Sequence, residues 1–197
     1  YTFAPLKDVR WERRVLFAGG DYWLLQDVLT GGQESARIEQ NFQLEAGIEV
    51  ELKESRTIAR APNGAQLVIV PLTGGLAPEV SLGVKAPHTS YWPDGKPKQI
   101  LAAEDGKNQQ HGRGWTGRSS SKLMPAPAVT YAGTVKLPAT ITVALVPLAP
   151  GKEPLALPAI TSEAAGGKTA WSLPIAGRTL RFVTDTETCA VEGKGAP

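Results

Sequence analysis

The segment from Ala18 to Leu44 constrains this chain more than any other. It reads as a turn (Ala18-Gly19-Gly20-Asp21), a strand from Tyr22, a glycine turn (Thr30-Gly31-Gly32) and a second strand from Ser35 to Leu44. Successive strand side chains point to opposite faces. Tyr22, Leu24 and Gln26 therefore share one face, and Trp23, Leu25 and Asp27 share the other. Large apolar groups on both faces predict a strand sandwiched between layers rather than half in water. Asp27 is then an acid at the rim of the core, or a paired one.

The rest of the chain repeats this strand-and-turn grammar. Val9 to Phe17 reads as a strand entering the Gly19-Gly20 turn. Ile48-Glu49-Val50-Glu51-Leu52 alternates, which predicts Ile48, Val50 and Leu52 on the core side. Residues 56–60 form a further short strand. Pro62-Asn63-Gly64 is a turn signal, because Asn and Gly accept positive φ. Gln66 to Leu72 is a β-branched run suited to a central strand, and Glu79 to Val84 to a short one. Strands at 127–133 and 139–148 follow, then a turn at Pro150-Gly151-Lys152 and a Pro-interrupted edge at 155–160. A hairpin at 170–183 closes the series, with a frayed tail after Asp185. No helical period and no internal repeat is visible. Ten or more short strands with Gly/Pro turns predict an all-β fold: one large two-sheet antiparallel β-sandwich spanning residues 1–197.

Composition excludes several classes. A chain of 197 residues with a net charge of +2 has enough length for a core and too little charge to suggest nucleic acid. No run reaches the length of a membrane span. The opening Tyr1-Thr2-Phe3-Ala4-Pro5 has no basic start and no apolar core, so it reads as the interior of a longer protein. The one cysteine, Cys189, rules out an internal disulfide and reads as a small side chain in the last strand. P-loop, Rossmann, His-Glu-x-x-His, Cys-x-x-Cys and Gly-x-Ser-x-Gly patterns are absent, and nothing in the sequence calls for a cofactor or a metal ion.

Residues 81–122 differ in character. They read as a long basic loop inserted between strands, with seven Lys and Arg against three acids. A loop of that length in a compact domain is unusual and often functional. It contains both histidines, His88 and His111, and two of the five tryptophans. As a solvated loop it would need no further account. As a cationic rim it would attract an anionic polymer. Tyr91, Trp92 and Trp115 would then stack on sugar rings, and Arg113 or Arg118 would grip a carboxylate with a bidentate fork. His88 reads as a surface histidine. His111, in Gln110-His111-Gly112-Arg113-Gly114-Trp115, is the candidate catalytic group, since its glycines allow close approach of a ligand.

Several of these features together resemble a known family. They are Gly20-Asp21-Tyr22-Trp23-Leu24-Leu25-Gln26-Asp27 before a glycine turn, Glu39-Gln40-Asn41-Phe42-Gln43-Leu44, Gly114-Trp115 before Pro125-Ala126-Pro127, and a late apolar strand ending in Val146-Pro147. Over about residues 10–183 the chain resembles the C-terminal β-sandwich domain of heparinase II/III-like polysaccharide lyases. That resemblance implies an N-terminal helical toroid domain as partner, an anionic, uronate-containing polysaccharide as substrate, β-elimination as chemistry and a periplasmic or secreted location. It also implies sandwich histidines, in some members binding a metal with an Asp. Asp27 matches a family acid, but Ala36 and Gln43 stand where the second strand often has histidines. Gln43 is no proton shuttle and a poor zinc ligand. The expectation is an accessory domain, inactive alone. The alternatives are a carbohydrate-binding sandwich without a link to elimination, and an assembly domain.

Overall fold

The computed structural model describes residues 8–18, 22–32, 34–83, 89–91, 97–99, 113–119, 122–152, 161–165, 168–175, 178–184 and 189–192. Among them there is no helix. The strands in chain order are β1 (Val9–Ala18), β2 (Tyr22–Gly31), β3 (Ser35–Gln43), β4 (Glu49–Lys53), β5 (Arg56–Arg60) and β6 (Gln66–Pro71). Next come β7 (Ala77–Leu82), β8 (Thr89–Tyr91), β9 (Pro97–Gln99), β10 (Trp115–Ser119) and β11 (Lys122–Pro125). The series ends with β12 (Pro127–Lys136), β13 (Ala139–Leu148), β14 (Thr161–Ala165), β15 (Lys168–Ile175), β16 (Arg178–Thr184) and β17 (Cys189–Glu192).

Among the described residues all strand pairings are antiparallel. The central layer is a six-stranded sheet in the order β1-β2-β13-β6-β5-β4, and a three-stranded sheet β3-β12-β7 covers part of one face. The chain passes between these two layers after β2, after β3, after β6 and after β12. The first crossing is why β2 and β3, neighbours in sequence, face each other across the core. Alternation sorts the side chains of the central sheet into two clusters. Ile69 and Val143 meet Val129 and Tyr131 of the three-stranded sheet, with Phe42, Leu44, Val50 and Val80 around them. On the reverse face Tyr22, Leu24, Val68, Val70 and Ala144 pack with Trp171 of β15. Trp171 thereby brings in the four-stranded sheet β14-β15-β16-β17. The all-β sandwich stands, with β2 buried on both faces as its sequence requires.

Four local expectations change. Leu52 is exposed, because β4 is the outer strand of its sheet and the three-stranded layer does not reach it. The basic stretch is not loop throughout: Trp115–Ser119 and Lys122–Pro125 pair as a hairpin. The tail after Asp185 holds β17, which pairs with β16. The reverse face carries a further sheet beyond the two anticipated. The Gly19-Gly20 turn and the edge at 155–160 lie outside the described residues. The Asn63-Gly64 turn forms as expected: Gly64 has φ +82° and donates to the Ala61 carbonyl at 2.8 Å.

Tyr131 is fully buried at the centre of the sandwich, its hydroxyl 2.7 Å from Thr57 Oγ1 and its ring edge-on to Phe42. Burial pushes its pKa up to about 12, and the Thr57 hydrogen bond pulls the other way. A phenol in the unfolded chain ionises near its ordinary value of about 10. The folded state therefore holds the proton longer, and stability contributed by Tyr131 is lost as pH rises from about 10 to about 12. Tyr131→Phe is expected to cost about 1–2 kcal/mol at neutral pH, because it leaves the Thr57 hydroxyl buried without this partner. Its deficit should shrink through the alkaline window. Urea unfolding of both proteins from pH 7 to 12 checks this; a constant deficit would contradict it.

Candidate functional site

The polar centre of the described structure is the carboxylate of Asp27. It lies on β2, on the face toward the three-stranded sheet, and is 2% exposed. The β1–β2 register sets Arg13 opposite Asp27. Arg13 donates from Nε to Oδ1 and from Nη2 to Oδ2, both at 2.7 Å, which is the bidentate fork geometry. Trp11, two residues earlier on the same face of β1, donates its indole N–H to Oδ1 at 3.1 Å. Gln40 reaches across from β3 and donates Nε2 to Oδ2 at 2.9 Å. Each oxygen thus accepts two N–H groups, and the contact ties both layers of the sandwich together. The Arg13 guanidinium also sits over the Trp11 ring, 5.2 Å from its centroid. Hydrogen bonding to Asp27 raises the Arg13 pKa above its ordinary value, partial burial opposes this, and the charge of Asp27 adds to the rise.

This arrangement answers whether Asp27 is suited to a metal ion. Its oxygens are engaged by a cation and two neutral donors, and the nearest charged group is a guanidinium. The donor set does not fit a metal. Among the described residues no group of three or more His, Cys, Asp or Glu is placed to hold one. Gln43, at the position where the resemblance implies a histidine, donates to the carbonyls of Leu44 and Pro127 and joins the end of β3 to the start of β12.

A cleft of about 200 Å³ opens beside Asp27, between β1 and β2 of one sheet and β3 of the other. Its walls are Val9, Trp11, Arg13 and Leu29 from β1 and β2, and Arg37, Ile38 and Glu39 from β3. Glu39 accepts from Arg37 at 3.3 Å and is ion-paired with Arg113. Arg113 also donates to Thr130 Oγ1 at 3.2 Å, and that hydroxyl donates to Asn41. Arg113 is therefore half-buried on the outer face of the three-stranded sheet, fastening the end of the basic stretch to β3 and β12.

Gly114 continues that fastening. Its φ is +86°, and its carbonyl accepts from Gly83 at 2.8 Å and from Ala126 at 2.9 Å. A Cβ there would lie 2.6 Å from the Ser81 carbonyl oxygen and 2.8 Å from the Leu82 Cα. Glycine at 114 is thus a backbone requirement. Trp115 follows in β10, half-buried and opposite Pro125.

Of the other residues singled out from sequence, His88, His111 and Trp92 lie outside the described residues. The backbones of Tyr91 and Arg118 belong to β8 and β10, and their side chains lie outside the described residues too. The structure brings Arg113 to Glu39, a wall of the cleft. It places Trp115 at the root of the hairpin. The sequence reading passed over Trp11, Arg13, Arg37, Glu39 and Gln40. For Gln40 a signal existed: it alternates with Ile38 and Phe42, so a polar group was bound to point inward. Trp11 and Arg13 share a strand face by the same rule, but nothing in sequence fixes the register that sets Arg13 against Asp27.

No protein-family model and no curated protein sequence matches the chain. Solved structures do. A heparan sulfate lyase HepC mutant from Pedobacter heparinus superposes with a TM-score of 0.60 at 16% identity, over 91% of this chain and 24% of that one. Heparinase III, the BT4657 gene product, gives 0.57 at 10% identity over the same shares. A further heparinase III structure gives 0.52 at 12% identity over 90% of this chain. The chain spans about a quarter of the length of these proteins. Identities this low speak for the fold alone: the chain is an all-β sandwich with the fold of a domain found in heparinase III structures.

Proposed function

We propose that this chain is the β-sandwich domain of a heparinase III-like polysaccharide lyase. In this reading it assists the binding and β-elimination of uronate-containing, anionic polysaccharide and is not active alone. The observation that carries it is the superposition over 91% of the chain. The chemistry of the described residues agrees. Elimination needs a group that neutralises the uronate carboxylate, a base for the adjacent C–H proton and an acid for the leaving oxygen. Arg13 and Asp27 satisfy each other, and so do Arg113 and Glu39. Such pairs position neighbours and shape a surface rather than transfer protons. The remaining equipment would come from a helical toroid domain, and the location would be periplasmic or secreted.

The test is to offer the isolated chain heparan sulfate, alginate and neutral glycans. Absorbance of an unsaturated uronate product reports turnover, and calorimetry reports binding. The expected result is no turnover, with salt-sensitive binding of the acidic polymers. Turnover by the chain alone would refute the accessory role. Tightest binding of a neutral glycan would instead favour a carbohydrate-binding sandwich with no link to elimination. The exposed aromatic rings of Trp11, Phe17 and Trp23 are the observation on that side.

A further inference from the structure

Trp11 is 55% exposed, yet it is not loose. Its indole N–H is held by Asp27 and one side of its ring meets the Arg13 guanidinium. The ring is thus fixed in one orientation at the wall of the cleft described above, with area still open to solvent. An aromatic surface held ready costs little ordering entropy when a ligand stacks on it. The β3 wall of the cleft includes Arg37, which shares the outer strand face with Glu39 and whose side chain is 69% exposed. Its contact with Glu39, at 3.3 Å, is a single exposed one of the kind worth little in water. The charges at the cleft do not cancel. Arg13 is matched by Asp27, whereas Glu39 is flanked by both Arg37 and Arg113, leaving a positive surplus.

We infer that the cleft between Trp11 and Arg37 is a binding subsite for one acidic sugar residue of an anionic polysaccharide. A pyranose ring presents a face of C–H groups, which stacks on the Trp11 indole. Its carboxylate or sulfate pairs with the Arg37 guanidinium, which offers several N–H donors to an anion. The volume, about 200 Å³, suits one ring rather than a chain of them. Phe17 and Trp23 extend the surface along the same strand face: their rings lie 4.9 Å apart and both are partly exposed. Trp11 and Phe17, six residues apart on β1, are separated by about 20 Å at strand rise. Flanking sugars of a polymer would run along this face.

This inference rests on the polysaccharide reading above, and its test separates the two. Nitrogen-15-labelled protein is titrated with a heparan sulfate tetrasaccharide and with a neutral glucan of equal length, following indole N–H signals assigned through Trp11→Phe. The expected result is a shift of the Trp11 signal with the acidic sugar only. Arg37→Gln, on an exposed side chain, should weaken binding at least tenfold, and Trp11→Ala should do likewise. Unchanged thermal unfolding of Arg37→Gln excludes misfolding as the cause. Acidic binding that Arg37→Gln and Trp11→Ala leave intact would overturn the subsite and spare the proposed function. Equal binding of the neutral glucan at Trp11 would overturn the acidic specificity. Absence of binding by either sugar would overturn the subsite and the polysaccharide reading of the isolated chain together.

Discussion

Arg13→Ala is expected to destabilise the fold by about 3 kcal/mol, toward the lower end of the range for breaking a buried ion pair. The reason is asymmetry of burial. Asp27 is almost entirely enclosed, whereas the Arg13 side chain is 37% exposed. Without the guanidinium, Asp27 keeps the indole and amide donors from Trp11 and Gln40 but has no opposite charge. Asp27→Ala is expected to cost less, about 2 kcal/mol. The freed Arg13 turns to water, and the penalty falls on the Gln40 amide left inside the sandwich. The double variant should lose at least about 1 kcal/mol less than the sum of the singles, since both remove the same pair. Urea unfolding of the four proteins in this cycle measures the coupling. Strict additivity would mean the pair does not act as a unit.

Gly114→Ala should be comparably damaging, at about 3–4 kcal/mol, through two independent causes. A non-glycine residue at φ +86° pays about 1–2 kcal/mol. The added methyl would also lie 2.6 Å from the Ser81 carbonyl oxygen and 2.7 Å from the Gly83 nitrogen, which are backbone atoms at the end of β7. They cannot retreat without breaking the Ser81–Ala128 pairing or the hydrogen bonds to the Gly114 carbonyl. Gly74→Ala is the control, since a Cβ there meets nothing within 4 Å and its φ is ordinary. It should change stability by well under 1 kcal/mol. Thermal and urea unfolding of the two variants make the comparison. Equal behaviour would show that the segment at Gly114 is not fastened as described.

Much of the fold was legible because strand period and turn chemistry are local. Tyr22 to Val28 is apolar on both faces, and that alone required a layer on each side. The Val68, Ile69 and Val70 run reads as interior and is interior. The exposure of Leu52 was not legible, because alternation states which way a side chain points and not whether a second layer stands there. The site was less legible still. Composition marks the histidines and basic residues of the long insertion, of which Arg113 alone has a described side chain. The cleft is assembled from β1, β2 and β3, and its walls are ordinary residues until the strands are paired.

The sequence by itself determined an all-β chain, a doubly buried second strand, and an acid at Asp27 that had to be either rimmed by water or paired. Those follow from side-chain alternation and the cost of leaving apolar or charged groups in the wrong medium. Only the tertiary structure decided which of these held. The hairpin register set Arg13 against Asp27, and the crossing from β2 to β3 brought Gln40 over the carboxylate. It also left Trp11 fixed and half-open at the wall of the cleft. Register and layer contacts depend on residues far apart in the chain, so no local pattern specifies them.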